Sequence, residues 1–208
     1  AKGGFGIITT AATNVSKEGK AWDGEFGVYD DYHIPKLTKL TSAIHQTKSL
    51  IIAQLFHGGI KSPQKITGFI PISASELNCK ESFSGKSKKA SEQDIEKIIS
   101  DFTMSAIRCH EAGFDGIELH AAHGYLISQF LGKKTNLRTD NWGGSLNKRS
   151  RLLIEILQSI RKNVSESFIV GIRISPIIES LGIELNDTIN LVDILRKEPV
   201  DFIHLSCW

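Results

Sequence analysis

Four near-continuous apolar runs, with room for a helical pattern between each pair, constrain this chain more than anything else in it. They are LIIAQLF (Leu50 to Phe56), FDGIEL (Phe114 to Leu119), FIVGIRI (Phe168 to Ile174) and VDFIHL (Val200 to Leu205); a shorter run, Gly6 to Thr10 (GIITT), comes first. Runs of this kind suit strands buried on both faces. Between them, apolar residues recur at helical spacing. Ile34, Leu37, Leu40 and Ile44 do so in Asp30 to Gln46, and Ile95, Ile98, Ile99, Phe102 and Ile107 between Ser91 and about Glu111. Leu152, Leu153, Ile156, Leu157 and Ile160 do so in Lys148 to Val164, and Asn186 to Arg196 reads as a further helix. Pro35 suits a helix start, Ser91 with Asp94 reads as an N-terminal cap, and Gly113 as a C-terminal one.

The resulting order, β-α-β-α-β-α-β-α-β, predicts an α/β fold: a parallel sheet covered by helices. It can be an open doubly wound sheet or a (β/α)8 barrel. No GxGxxG links a strand to a helix, which weakens the dinucleotide-binding open sheet. Polar residues recur near strand C-terminal ends instead, at Gln54, His120, Arg173 and His204, where barrels place their chemistry. Five strands do not close a barrel of eight, so the expectation is an incomplete barrel of about five βα units in one domain, residues 1–208.

The 208 residues are 40% hydrophobic and carry a formal net charge of +2, so no strong field draws the chain to nucleic acid or an anionic membrane. No apolar run is long enough to span a bilayer, and no signal peptide is visible. Cys79, Cys109 and Cys207 are odd in number, lack CxxC spacing, and read as reduced thiols of a cytoplasmic protein.

The densest chemistry follows the third long run. His120, His123 and Tyr125 fall within six residues, ahead of a stretch read as a long polar loop to Ser145. In extended backbone the two histidines face opposite ways, so sharing a site requires a turn at Ala121–Ala122. Two imidazoles can bind a metal, although no third ligand is evident, or they can donate two hydrogen bonds to one oxygen. Tyr125 offers a phenol suited to proton delivery. Gln54 interrupts an apolar strand, and its amide can either bond within the core or read the edge of a heterocycle. Arg173, amid Phe, Ile and Val, needs an anionic or electron-rich partner. Ala11, Ala12 and Thr13 are small enough to let a flat ligand approach the backbone, and equally suit tight core packing. His57 and His204 read as structural and His110 as surface. Arg138, Asp140 and Arg149 are expected to form an ion-paired frame, with Gly143 and Gly144 supplying a turn. His57 to Gly85 is a long polar connection of the length that tends to be functional.

These residues match a known pattern. GFDGIELHAAHGYLISQFLGKKTNLRTDNWGGSLNKRSRLLIEIL closely resembles the signature region of the old yellow enzyme family, the FMN-dependent ene-reductases and NADH:flavin oxidoreductases. The likeness extends through GGFGIITTAATNVSKEGK, IIAQLFHGG, GIRISP and DFIHLS, nearly the whole chain. It implies an FMN-binding (β/α)8 TIM barrel of which strands two to six are present. By the same resemblance, His120 and His123 hold the carbonyl oxygen of an α,β-unsaturated substrate and Tyr125 protonates its α-carbon. Gln54 bonds the flavin pyrimidine edge, Arg173 lies near N1 and the C2 carbonyl, and Ala12 lies against the ring. FMN is the implied cofactor, NAD(P)H the reductant and a small molecule the partner, with homo-oligomer formation left open. The alternative expectation is a truncated, non-catalytic barrel fragment unable to retain FMN. Departures from the usual family pattern are Ala11 for Glu, Ile60 for Arg, Trp142 for Tyr, and Gly132-Lys133 for Ser-Pro; Ile60 weakens the expectation of an active-site contact from that loop.

Overall fold

The computed structural model describes residues 1–207. In chain order it contains β1 (Ile7–Thr9), β2 (Thr13–Asn14), β3 (Phe26–Gly27), α1 (Ile34–His45), β4 (Leu50–Phe56), α2 (Gln64–Thr67), β5 (Ile72–Ser73), β6 (Lys88–Lys89) and α3 (Glu92–Glu111). Then come β7 (Gly116–Ala121), α4 (Leu126–Leu131), α5 (Leu146–Arg149), α6 (Arg151–Asn163), β8 (Ile169–Ile174), α7 (Leu185–Leu195) and β9 (Phe202–Leu205). Strands pair in the order β3-β2-β4-β7-β8-β9, with β1 also on β4, and every pairing is parallel.

From β4 onward each long strand lies beside the next one in the chain, so all crossovers run the same way and stack their helices on one face. That is the sense of a barrel rather than of a doubly wound sheet, whose order reverses. Residue parity agrees. Ile51, Ala53 and Leu55 of β4, Ile117, Leu119 and Ala121 of β7, and Val170, Ile172 and Ile174 of β8 enter one core with Ile95, Ile98 and Phe102 of α3 and Ile156, Leu157 and Ile160 of α6. The alternate positions, Gln54, Glu118, His120 and Arg173, therefore face the other side, where the barrel interior lies.

Local signals explain the principal helices. Ser91 Oγ accepts from Asp94 N while the Asp94 carboxylate accepts from Ser91 N, the reciprocal cap that starts α3. Pro35 sits in the first turn of α1, where its missing N–H costs nothing. Gly113, at φ +81°, turns the chain from α3 into β7.

Several boundaries differ from expectation. The run read as Phe114 to Leu119 forms its strand two residues later, because His120 and Ala121 pair with Arg173 and Ile174 of β8; His120 is thus inside the strand, not beyond it. The first run is split. Thr9 pairs with Ile52 and Thr13 with Leu55, so three residues, Thr10 to Ala12, face two on β4, a bulge. Ile7, expected buried, is 57% exposed, since β1 pairs on one side only among the described residues. Stretches expected to be loop carry secondary structure. Leu126–Leu131 is a helix buried all round, whose lack of a polar face hides the helical period. β5 and β6 form a two-stranded sheet in the long connection after β4. Arg138 does pair with Asp140 (2.7 and 3.0 Å), but Arg149 reaches Asp187 (3.0 Å), so it belongs to a different contact. Cys79 and Cys109 are buried and Cys207 exposed, all free thiols. Among the described residues no helix is long and apolar enough to cross a membrane.

Candidate active site

At the C-terminal end of β7 the chain turns through Ala122 and His123. His123 has φ +59°, a left-handed conformation that costs a non-glycine residue roughly 1–2 kcal/mol, and Gly124 follows at φ +74°. The turn swings His123 back over the strand. Its ring centre lies 4.7 Å from that of His120, and the Tyr125 ring lies 4.8 Å from His120, edge-on. The two imidazoles and the phenol thus come together in one cluster. Phe56 packs edge-on against Tyr125 (5.0 Å) and Trp22 stacks on Phe56 (5.5 Å), giving one aromatic wall.

The protonation states follow from surroundings. His120 is 2% exposed. Burial first, then the charges of its neighbours His123, Arg173 and Lys61, pushes its pKa down to about 3, so it is neutral. Ala122 N donates to His120 Nδ1 (3.3 Å), which leaves the proton on Nε2 as a donor with no bonded partner among the described residues. Burial, with Arg173, Lys61 and His204, also lowers His123. Its Nε2 lies 2.7 Å from Ser206 Oγ, which accepts from Arg173 Nη2 at 3.0 Å. Burial raises Tyr125 above the usual phenol value, with a smaller push from Glu25, so at neutral pH it keeps its proton. Among the described residues no group of three or more His, Cys, Asp and Glu is placed to hold a metal.

The remaining sequence-selected residues line the neighbouring strands. Gln54 is 5% exposed, and its Nε2 donates to Glu118 Oε2 (2.5 Å); Glu118 Oε1 is 2.8 Å from His204 Nδ1. His204, read as structural, thus joins the interior set. His57 is buried, with Nδ1 accepting from Gly59 N (3.0 Å) and burial taking its pKa to about 3, while His110 is exposed. Ala12 lies in the bulge opposite Gln54, whose backbone N donates to Thr10 Oγ (3.0 Å).

Three participants escaped the sequence reading. Ser206 ties His123 to Arg173. Glu118, a polar residue within the run FDGIEL, holds the Gln54 amide. Lys61 follows the Ile60 that replaces the family arginine, and its Nζ donates to His123 O (2.7 Å) and stands 5.3 Å from the Tyr125 ring centre. The carbonyl of the left-handed residue is therefore held by a cation. The adjacent HGG turn was the available signal for Lys61; nothing local marks Ser206, which acts 83 residues from its partner.

A one-directional parallel βα array with donors, a phenol and a guanidinium gathered at its strand C-termini has the layout of a barrel-type enzyme, which places its chemistry at that end. The chain belongs to the NADH:flavin oxidoreductase / NADH oxidase family, whose model matches residues 1–206. It is 38% identical to a probable NADH-dependent flavin oxidoreductase, YqiG, of Bacillus subtilis over 97% of this chain and 55% of that protein. It is 33% identical to an NADPH dehydrogenase of Listeria monocytogenes over 99% of this chain and 60% of the other. Among solved structures, the old yellow enzyme homologue from Zymomonas mobilis superposes with a TM-score of 0.88 at 27% identity, over 97% of this chain and 60% of that one. Morphinone reductase in complex with tetrahydroNAD gives 0.87 at 26%, over 96% and 60%. The chain spans about half the length of the curated relatives it matches, and its sheet is an incomplete TIM barrel of the old yellow enzyme type.

FMN is the cofactor of this family, and the residues present fit its ring. Among the described residues, Arg173 has a buried Nε without a partner and makes one hydrogen bond, to Ser206. Gln54 has spent one N–H on Glu118, leaving its carbonyl and second N–H available. Ala12 offers little side-chain bulk beside them.

Proposed function

We propose that this chain carries the ring-binding and substrate-activating part of an FMN-dependent oxidoreductase, in which NAD(P)H supplies the electrons and activated C=C bonds of α,β-unsaturated carbonyl compounds accept them. The convergence of His120, His123 and Tyr125 carries this reading: two side chains suited to hold one oxygen, and one suited to give a proton beside it. Residues 1–208 are read as strands two to six of the barrel domain.

His120 is neutral and donates from Nε2, so it polarises a carbonyl without protonating it. His123 binds the same oxygen from the left-handed turn, and Lys61 and Arg173 make the region positive where enolate charge develops. When bound, FMN supplies the hydride that reaches the β-carbon. Tyr125, kept protonated by burial, delivers a proton to the α-carbon, and the Lys61 cation near its ring favours the phenolate that remains. Gln54 and Arg173 address the pyrimidine end of the ring, where a fixed positive charge stabilises the anionic reduced form.

The test is anaerobic stopped flow on the yellow, FMN-loaded protein with NADH or NADPH and then 2-cyclohexenone. Enone-dependent reoxidation that weakens when His120 and His123 are replaced by Asn supports the assignment. A protein that holds no flavin, or whose reduced flavin ignores enones, would refute it.

A further inference from the structure

We propose that Glu118 is a positioning residue that locks the orientation of the Gln54 amide and thereby sets the order of hydrogen-bond donor and acceptor that β4 presents to the pyrimidine edge of the cofactor. The inference rests on the FMN reading above and goes beyond it, because the resemblance described above gives Glu118 no task.

Glu118 is 1% exposed and stands directly opposite Gln54 in the β4–β7 register. An amide can be turned end for end at almost no cost unless its neighbours tell oxygen from nitrogen. Here they do. An ionised carboxylate only accepts hydrogen bonds. With Nε2 at 2.5 Å from Glu118 Oε2, the amide is paired. Turned over, it would set the amide oxygen against a carboxylate oxygen and leave buried polar atoms unpaired, which is costly in a protein interior.

The carboxylate is held as well. Its other oxygen is 2.8 Å from His204 Nδ1, so donors on β4 and β9 grip the Glu118 carboxylate of β7 from both sides. Space beneath is filled: Gly171, next in register to Glu118, has no side chain, and a Cβ there would run 2.1 Å from the Phe202 ring. Glu118 thus has little room to swing away from Gln54. What remains of the amide, one carbonyl and one N–H, complements a ring edge in which C=O and N–H are adjacent. Inverting the amide inverts that match.

The experiment compares FMN with FMN methylated at ring N3, which lacks the edge N–H, by titrating the apoprotein and following flavin fluorescence. The parent protein is expected to prefer FMN by about tenfold or more, the worth of one hydrogen bond to a buried partner. Glu118→Gln frees the amide to turn; FMN affinity should fall about tenfold and the preference should shrink to about threefold or less. In a Gln54→Leu background the same substitution should add nothing. A packing role for Glu118 would instead weaken both flavins alike and add to Gln54→Leu, and that result, or an unchanged preference, overturns the proposal. If Glu118→Gln does not fold, Glu118→Asp keeps the charge but withdraws it from the amide, and the same loss of preference is expected. The Gln54 side-chain amide signal in NMR of the apoprotein separates the two readings. One proton shifted downfield and slow to exchange, lost in either Glu118 variant, supports the lock even if the parent protein binds neither flavin, an outcome that would refute the flavin function alone. A Gln54 amide with two ordinary, rapidly exchanging protons refutes the lock.

Discussion

The two ends of the same strands are built on different principles. At the N-terminal end one device is used twice. Asp115, just before β7, donates its N–H to Ile51 O (3.0 Å), accepts Ile51 N on Oδ2 (2.7 Å) and meets His45 from the helix that precedes β4 (2.8 Å). Asp201, just before β9, does the same with Val170 O (2.9 Å), Val170 N (2.7 Å) and Arg161 from the helix that precedes β8 (2.5 Å). Each aspartate closes the lower edge of the neighbouring strand and ties it to a helix. At the C-terminal end no such device repeats. Gln54, Arg173 and the pair His120 and His204 bring three different chemistries, and the two imidazoles make different contacts, alongside a left-handed histidine and a buried guanidinium nitrogen without a partner among the described residues. Satisfied, repeated contacts mark the end that holds the sheet together. Unlike and partly unsatisfied ones mark the end where a ligand completes the bonding.

That contrast can be broken. The largest effect is expected from Tyr125→Phe. It should slow enone turnover by about 10²–10⁴-fold, the usual contribution of a general acid, while sparing flavin reduction and thermal stability. Stopped flow on the two half-reactions checks it, and equal slowing of both would remove Tyr125 from its role. Arg173→Met should lower the flavin reduction potential by about 30 mV or more, equivalent to about tenfold in equilibrium, and slow reduction by NAD(P)H. A redox titration with full flavin occupancy and an unchanged potential would contradict the assignment. At the other end, Asp201→Asn or Asp115→Asn should cost about 1–3 kcal/mol of stability and leave the reduction potential untouched. Denaturant unfolding decides this, and a shifted potential would show that the two ends are coupled.

The smallest effect is a pH dependence. Burial holds the Glu25 carboxyl up at about 7, despite hydrogen bonds from Ala21 and Trp22 N–H. A raised carboxyl favours the folded state while protonated, so its contribution is full below about 4.5 and is lost as pH rises through 7. His57 and His120, both near 3, act in the opposite sense. Their contribution is full above 6.5 and is lost as pH falls toward 3. Glu25→Gln should therefore flatten the decline in Tm between about pH 4.5 and 7 and leave the acid limb in place.

The scaffold was legible because its signals are local and periodic. The runs at β4, β8 and β9 and the caps of α1 and α3 are each decided within a few residues. The misplacements have physical causes. β7 begins late because its register is dictated by β8, and the first strand splits because a bulge depends on how two chains of unequal count pair. α4 is buried on every side and so carries no amphipathic stripe. The site was legible where one short segment supplies several groups, as His120, His123 and Tyr125 do. It was illegible where a side chain is defined by distant partners, as Glu118 is by Gln54 and His204, and Ser206 by His123 and Arg173.

The pairing order has a further consequence, in time rather than in space. Because β4, β7, β8 and β9 pair in the order in which they are synthesised, each new βα unit can add to an edge that already exists as the chain leaves the ribosome. The histidine turn after β7 is made early, but Ser206 and His204 arrive last, some eighty residues later. Until then Glu118 lacks its second partner and His123 its hydroxyl. A nascent chain can thus hold much of its scaffold while its active site is still incomplete.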